Sequence, residues 1–360
     1  MTKEEVASHA DCFSKASLHS YVAFTSGSTG VPLKIVWDRM DYYDSMLSLW
    51  RIRKRYGIVA SQLYLTCHNS AFLDGSFCAD PIIIRGNRIS FSKTIITNEQ
   101  LISYIRNIEL FKPFWIHAQP SFVYQLGVHL SQVAPKTLDC FHYIELVGEL
   151  VSPAIKSSIE CLFHNAIVTV LYGMQEFNGI MFGEKDLLKV LTDNVYVEIL
   201  DNNFQNCSIG EEGEIIVTGL KNKLNPLIRY KTGDRGKKLI KDGGEVFVIT
   251  QGRSNDTLLY NGINYDGSLF FHVILRYNAL NEIPVIRFQV VYNDNYLLFF
   301  LYFQGGAVSK ARLEEQLREI MIRDFNIDLE IRVSLVTDLS SFVSSCNKTK
   351  YFINTSQKGI

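Results

Sequence analysis

Tyr21 to Lys34 reads YVAFTSGSTGVPLK, an apolar strand-like run that leads straight into six consecutive serine, threonine and glycine residues. Gly27 and Gly30 let the backbone fold back tightly. Successive N–H groups and the hydroxyls of Thr25, Ser26, Ser28 and Thr29 can then cradle a polyphosphate, with Lys34 adding a positive charge. The spacing G-x-x-x-x-G-K-[ST] is absent, so this is not a Walker A loop. Taken alone, the cluster reads equally well as a polar surface loop, and the rest of the chain must decide.

Composition narrows the field. The chain has 360 residues with 36 basic and 37 acidic side chains, a net charge of −1. That balance gives no whole-molecule attraction for nucleic acid or for an anionic membrane. A hydrophobic content of 47%, with 12% aromatic residues, is enough to bury a core and argues against disorder. The longest strongly apolar run, Tyr296 to Phe303, falls far short of the roughly 20 residues that span a bilayer. Met1 to Cys12 has no apolar segment of a secretory signal, and the cysteines form no tightly spaced framework. The expectation is a cytoplasmic globular protein.

Periodicity then divides the chain. Asp41 to Tyr56 predicts a helix with Tyr43, Met46, Leu47 and Trp50 on one face. Its basic end, Arg51, Arg53, Lys54 and Arg55, reads either as phosphate contacts or, more commonly, as a solvated C-terminus favoured by the helix dipole. Pro120 to Leu130 predicts a helix opened by Ser121, and Ile167 to Leu171 a buried strand ending at Tyr172–Gly173. Tyr196 to Leu200, Glu214 to Val217 and Glu245 to Thr250, separated by glycine-containing turns, predict an antiparallel sheet. Beyond Gly252, Asp266 is expected to cap a helix through Arg276, and Ser309 a second one. Pro284 to Tyr292 and Tyr296 to Phe303 pair around Asn293–Asp294–Asn295, and Leu329 to Val336 adds a strand. The fold class is mixed α/β, with a large domain over 1–253 and a small α+β domain over 256–360.

Four clusters follow the loop in order: Tyr172-Gly-Met-Gln-Glu176, Arg229-Tyr-Lys-Thr-Gly-Asp234, Gly252-Arg-Ser-Asn-Asp256 and Asn347–Lys348. Together with the loop they are similar to the adenylate-forming superfamily of acyl- and aryl-CoA ligases, peptide-synthetase adenylation domains and luciferases. Its signatures are TSGSTGxPK, YGxTE, YRTGD, GRxDD and a late GK. The resemblance runs from Tyr21 to about Tyr351. Gln119-Pro-Ser121, Gly148–Glu149 followed by Ser152, and Asn225-Pro-Leu-Ile-Arg-Tyr-Lys-Thr-Gly-Asp234 look most like the phenylacetate–CoA ligase and CapK-like branch. The chain resembles a short, N-terminally reduced member of it.

The resemblance implies an ATP- and carboxylate-binding domain followed by a mobile lid. Thr25, Ser26, Gly27, Ser28, Thr29 and Gly30 would hold the β- and γ-phosphates of ATP, with Lys34, Gly148 and Glu149 among the nucleotide contacts. Tyr172, beside Gly173, would stack on adenine, Asp234 would accept hydrogen bonds from the ribose hydroxyls, and Arg253 would steady ribose and phosphate. Glu176 would bind Mg²⁺. Lys348 would be the catalytic lysine at the α-phosphate, a role for which Lys350 competes. Asn255 stands at the hinge where the family has aspartate, Gln175 replaces the threonine of YGxTE, and Asn347 replaces the glycine before the lysine.

For the acyl pocket the resemblance offers His68, Phe72 and His117, with Trp115 and Phe182, although each also reads as an ordinary core aromatic. Asp74, in Leu73-Asp-Gly-Ser76, reads as a partner for a substrate ammonium or as a turn aspartate. Cys67, His68 and Cys78 lack a fourth ligand and any zinc-finger spacing. The implied reaction is ATP-dependent activation of a carboxylic acid, aryl or amino-aryl acids favoured, to an acyl-adenylate. The acyl group then passes to the thiol of CoA or of a phosphopantetheine-bearing carrier protein, in natural-product or cell-surface biosynthesis. The alternatives are amino-acid adenylation, an acyl-protein synthetase, and a catalytically weakened nucleotide-binding subunit serving a partner. The short stretch before Tyr21 makes a homodimer through the N-terminal face a further expectation.

Overall fold

A computed structural model describes residues 1–9, 20–24, 33–68, 82–92, 98–184, 187–252, 257–267, 269–293, 295–303, 305–306, 308–337 and 352–355. Thr25 to Gly30, Phe72, Asp74, Arg253, Asn255 and Lys348 lie outside the described residues. The chain divides into two compact units. The first is Met1–Gln62, Tyr143–Leu150 and Val168–Ser254; the second is Leu63–His142, Val151–Ile167 and Asn255–Ile360.

In the first unit, α1 (Lys3–Ser8) precedes a hairpin of β1 (Ser20–Phe24) and β2 (Lys34–Asp38), and α2 (Arg39–Arg55) follows. In the second, β3 (Tyr64–His68), β4 (Ile82–Arg85), β5 (Arg88–Ser92) and β6 (Trp115–Ala118) form a sheet in the order β6-β3-β5-β4, accompanied by α3 (Asn98–Phe111), α4 (Pro120–Val133) and α5 (Pro153–Leu162). The first unit's main sheet uses β7 (Tyr143–Val147), β8 (Ile167–Met174), β9 (Asn178–Glu184), β10 (Leu187–Val190), β11 (Val195–Leu200), β12 (Glu212–Gly219), β13 (Tyr230–Lys241) and β14 (Gly244–Gln251). Their order is β11-β12-β13-β14-β10-β9-β8-β7. The C-terminal part of the second unit has a hairpin of β15 (Thr257–Tyr260) and β16 (Ile263–Asp266), then α6 (Leu269–Leu280), β17 (Val285–Asn293), β18 (Tyr296–Phe303), α7 (Lys310–Phe325), β19 (Glu330–Val336) and β20 (Phe352–Asn354). Its sheet order is β19-β18-β17-β20. Phe270 packs against Phe299 and Phe352 at its centre, and Asn278 donates to the Tyr124 hydroxyl at 2.9 Å to join α6 to α4.

Four local readings are corrected. Asp266 does not cap a helix: it ends β16 opposite Thr257, and the helix starts at Leu269. Ser121 does not open α4; Gln119 holds the cap position without a side-chain capping bond, and Pro120 supplies the fixed φ of a first helical residue. The buried strand does not stop at Tyr172–Gly173 but bulges there and continues to Met174. The helix α2 buries Ser45, Ser48, Leu49 and Arg53, while Tyr43 and Leu47 are exposed. Small polar residues can face inward here because each finds a partner. Asn178 donates to Ser45 Oγ at 2.6 Å, Asn194 donates to the Ser45 carbonyl at 2.7 Å, and Ser48 donates to the Asn194 side chain at 3.3 Å.

The basic end of α2 is accordingly not uniformly solvated. Arg53 forks onto Glu145 of β7, with Nε 3.0 Å from Oε2 and Nη2 on Oε1, both side chains almost wholly buried. The Arg53 guanidinium also lies 4.8 Å over the Trp50 ring. Tyr143 donates to the same carboxylate at 3.4 Å, and burial together with the Glu145 charge pushes its phenol well above the usual tyrosine range, so it stays a donor. Removing one member of such a pair strands the other charge in a dry interior. Arg53→Met should therefore cost about 3–5 kcal/mol in urea unfolding, and adding Glu145→Leu should restore most of it.

Candidate active site

Two β-bulges build the site. On β8, Tyr172 pairs with Met181, but the register then shifts so that Gly173 faces Gly179 and Met174 faces Asn178. A Cβ on Gly173 would collide with the Asn178 carbonyl oxygen, so only glycine permits this approach. Asn178 itself has φ of 59°, a left-handed value that asparagine tolerates better than most residues. The chain between Met174 and Asn178 turns sharply and presents Gln175, Glu176 and Phe177. On β13, the pairs Ile216–Lys231 and Glu214–Arg235 leave Ile215 opposite Thr232, Gly233 and Asp234. The Thr232 hydroxyl donates to the Ile215 carbonyl at 2.9 Å and accepts from the Asp234 N–H at 3.1 Å, while Gly233 takes φ of 80°. Bulges of this kind re-aim side chains out of a ladder.

The two re-aimed side chains meet. The Tyr172 hydroxyl donates to Asp234 Oδ2 at 2.7 Å, although β8 and β13 stand four places apart in the sheet. Alongside them the Tyr230 hydroxyl donates to Glu176 Oε1 at 3.1 Å, and both residues are buried. The Trp37 indole donates to the Gln175 carbonyl at 3.2 Å, and Asn222 donates to the Val36 carbonyl at 3.0 Å. Because Phe24 pairs with Lys34, the two ends of the serine- and threonine-rich loop are held side by side, and Trp37 ties that hairpin to the residue before Glu176.

Glu176 is only 3% exposed, and among the described residues no basic side chain pairs with it. A carboxylate so buried, with a single hydrogen bond among the described residues, suits a cation brought by a ligand. Among the described residues no group of three or more His, Cys, Asp or Glu side chains gathers to hold a metal by itself. The donor set therefore fits a hard cation shared with phosphate oxygens rather than an all-protein cage.

The other expected residues fall as follows. Lys34 opens β2 and is exposed; Gly148 follows the end of β7 with φ of 84°, and Glu149 beside it is half-buried. His117 of β6 is half-buried, edge-on to Trp115 with ring centres 6.3 Å apart, and Trp115 stacks on Tyr64. His68 ends β3 opposite Ser92, with its side chain outside the described atoms. Phe182 packs with Leu49, Leu171 and Leu191 and is core. Trp37 and Tyr230 went unassigned in the sequence; the available signals were an indole just past the loop and a tyrosine directly before Lys231-Thr-Gly-Asp234.

The model of a family described as AMP-binding enzyme matches residues 5–222. Dapdiamide synthesis protein DdaD of Enterobacter agglomerans is 22% identical over 306 residues, 77% of this chain and 48% of that protein, so the chain spans about half its length. Among solved structures, 2-hydroxyisobutyryl-CoA ligase in the postadenylation state with R3-HIB-AMP is similar with a TM-score of 0.73 and 17% identity, over 98% of this chain and 79% of that one. The anthranilate CoA ligase AuaEII in complex with anthranoyl-AMP is similar with a TM-score of 0.61 and 14% identity, over 91% of this chain and 64% of that one. The mixed α/β fold expected from the sequence is the fold these structures share. Since the whole arrangement hangs on the Gly173 approach, Gly173→Ala should force the strands apart and cost about 1–3 kcal/mol, seen as a lower midpoint in thermal unfolding.

Proposed function

The chain belongs to the AMP-binding enzyme family, and from that premise we propose that it activates a carboxylic acid with ATP and passes the acyl group to a thiol. The observation that carries this reading is the Tyr172–Asp234 contact, which fixes a flat aromatic ring and a carboxylate side by side. Adenine stacks on the Tyr172 ring, burying an apolar face, and Asp234 accepts from the ribose hydroxyls. The loop from Thr25 to Gly30 takes the β- and γ-phosphates, with Arg253 and Lys34 supplying positive charge. Glu176 holds Mg²⁺, which supplies charge neutralisation on the phosphates when bound.

In the first step a substrate carboxylate oxygen attacks the α-phosphorus and the bond to the β-phosphate oxygen breaks, leaving acyl-AMP and pyrophosphate. No side-chain nucleophile is needed; positioning and charge stabilisation suffice. Lys348 stabilises the charge that builds on the α-phosphate. In the second step a thiolate attacks the acyl carbonyl and AMP leaves. The segment from 256 onward serves as the lid that carries Lys348, turning about Asn255 between the steps.

The acceptor is CoA or a carrier-protein phosphopantetheine. The substrate is an aryl or amino-aryl acid met by His68, Phe72, Asp74 and His117, a choice supported by the anthranilate ligase among the similar structures. Acid-dependent exchange of labelled pyrophosphate into ATP, run across benzoates, phenylacetates, aminobenzoates and amino acids, tests the proposal. Exchange with an aryl acid is expected; ATP binding without exchange for any acid would move the reading to a nucleotide-binding subunit. Lys348→Ala should lower exchange by about 10²–10³-fold or more, whereas Lys350→Ala should leave most of it.

A further inference from the structure

We propose that Tyr230 is a positioning residue that pins the Glu176 carboxylate for one-oxygen coordination of the divalent cation that enters with ATP. The inference rests on the reading of Glu176 as the metal-binding carboxylate. Tyr230 Oη donates to Glu176 Oε1 at 3.1 Å, and Oε2 carries no hydrogen bond among the described residues. The phenol takes one lone-pair site of Oε1 and fixes the carboxylate plane, so Oε2, which no described residue uses, is the oxygen best placed for a cation. A carboxylate pinned in this way offers one oxygen in a fixed direction. That suits Mg²⁺ or Mn²⁺, which demand near-octahedral geometry, better than Ca²⁺, which takes two-oxygen carboxylates in looser shells.

Tyr230 is itself held from several sides. Its backbone pairs with Val217 on β12, while the Met1 amine donates to the Arg229 carbonyl at 3.0 Å and the Lys231 N–H donates to the Met1 carbonyl at 2.8 Å. Its ring is 99% buried and lies edge-on to Phe177, centres 5.8 Å apart. The hydroxyl therefore arrives at Glu176 on a fixed scaffold, and a neutral donor orients the anion without cancelling the charge the cation needs. Partners of this kind, one step removed from a metal, raise ligand order and affinity.

The test titrates Mn²⁺ against the full chain with a non-hydrolysable ATP analogue, reading free Mn²⁺ by electron paramagnetic resonance. Tyr230→Phe, which keeps the ring, should raise the Mn²⁺ dissociation constant about 10–100-fold. Glu176→Gln should raise it at least as far, and Tyr230→Phe added to Glu176→Gln should bring no further loss. Tyr143→Phe, which removes a buried phenol from Glu145 and leaves the Tyr230–Glu176 bond intact, should bind Mn²⁺ as wild type does. If Glu176→Gln binds Mn²⁺ normally, the metal assignment of Glu176 is wrong. If Glu176→Gln weakens binding while Tyr230→Phe does not, the assignment stands and the pinning role fails. Additive losses in the double variant, or an equal loss in Tyr143→Phe, would also overturn it in favour of a general cost of losing a buried phenol. Should Tyr230→Phe not fold, wild type decides: Ca²⁺ should displace Mn²⁺ poorly, and displacement at equal concentration sinks the one-oxygen geometry.

Discussion

The close approach of Gly173 to the Asn178 carbonyl is the constraint from which the rest of the first unit's site follows. With no side chain at 173, β8 and β9 slip by one residue and the chain reverses over a tight turn instead of continuing the ladder. That slip swings the Tyr172 hydroxyl toward Asp234 and brings Glu176 under Tyr230. The bulge on β13 performs the matching operation from the other side, with Thr232 replacing the lost ladder bond by its hydroxyl. The slip is held by Asn178 on Ser45, by Asn194 on Gly179 and Ser45, and by Trp37 on Gln175. A site made of displaced residues thus depends on polar bonds that reach it from α2 and β2.

Two buried carboxylates in the same unit differ in how their charge is partnered. Glu145 and Glu176 are both almost fully covered, at 0% and 3% exposure. Glu145 has a forked arginine and a phenol, so its charge is compensated and its geometry closed. Among the described residues Glu176 has a phenol alone. Burying an anion costs several kcal/mol unless it is paired. The arrangement at Glu145 offsets that cost within the fold, while at Glu176 no charged partner among the described residues does so, which is what the proposed cation would supply. The difference lies in one arginine, and the family's motif reports only the carboxylate.

How much of this was legible follows from the range of the interactions. The strands of the Val195 to Thr250 region and the Tyr296 to Phe303 strand were readable because alternation and turn residues are local signals. The motif around Tyr172 to Glu176 and that around Tyr230 to Asp234 were readable because bulges need glycine and a side-chain acceptor at fixed offsets. The face of α2 was misread because periodicity scores hydrophobicity, and Ser45 and Ser48 face inward on hydrogen bonds from residues more than a hundred positions away. Arg53 was assigned to solvent for the same reason, since its partner lies 92 positions further along. Asp266 was read as a cap because an acidic residue before an apolar helix fits that role, yet pairing with Thr257 claimed it for a strand first. The short β20, parallel to β17, carries too few residues to announce itself.

The Tyr172–Asp234 bond also bears on how the site meets a nucleotide. A carboxylate in water is surrounded by solvent that must be reorganised when a ligand arrives. Asp234 instead has Oδ2 fixed by a phenol and its own N–H bonded to Thr232, so its direction is set before any hydroxyl approaches. A carboxylate oxygen carries more than one lone pair, so the proposed ribose contact does not require Asp234 to release Tyr172. The same bond limits rotation of the Tyr172 ring, which fixes the direction its face presents. Side chains ordered within the fold spare a binding event that ordering cost. The strained bulges are what allow this order: a regular ladder would have left Tyr172 and Asp234 alternating with their neighbours, four strands apart and without contact.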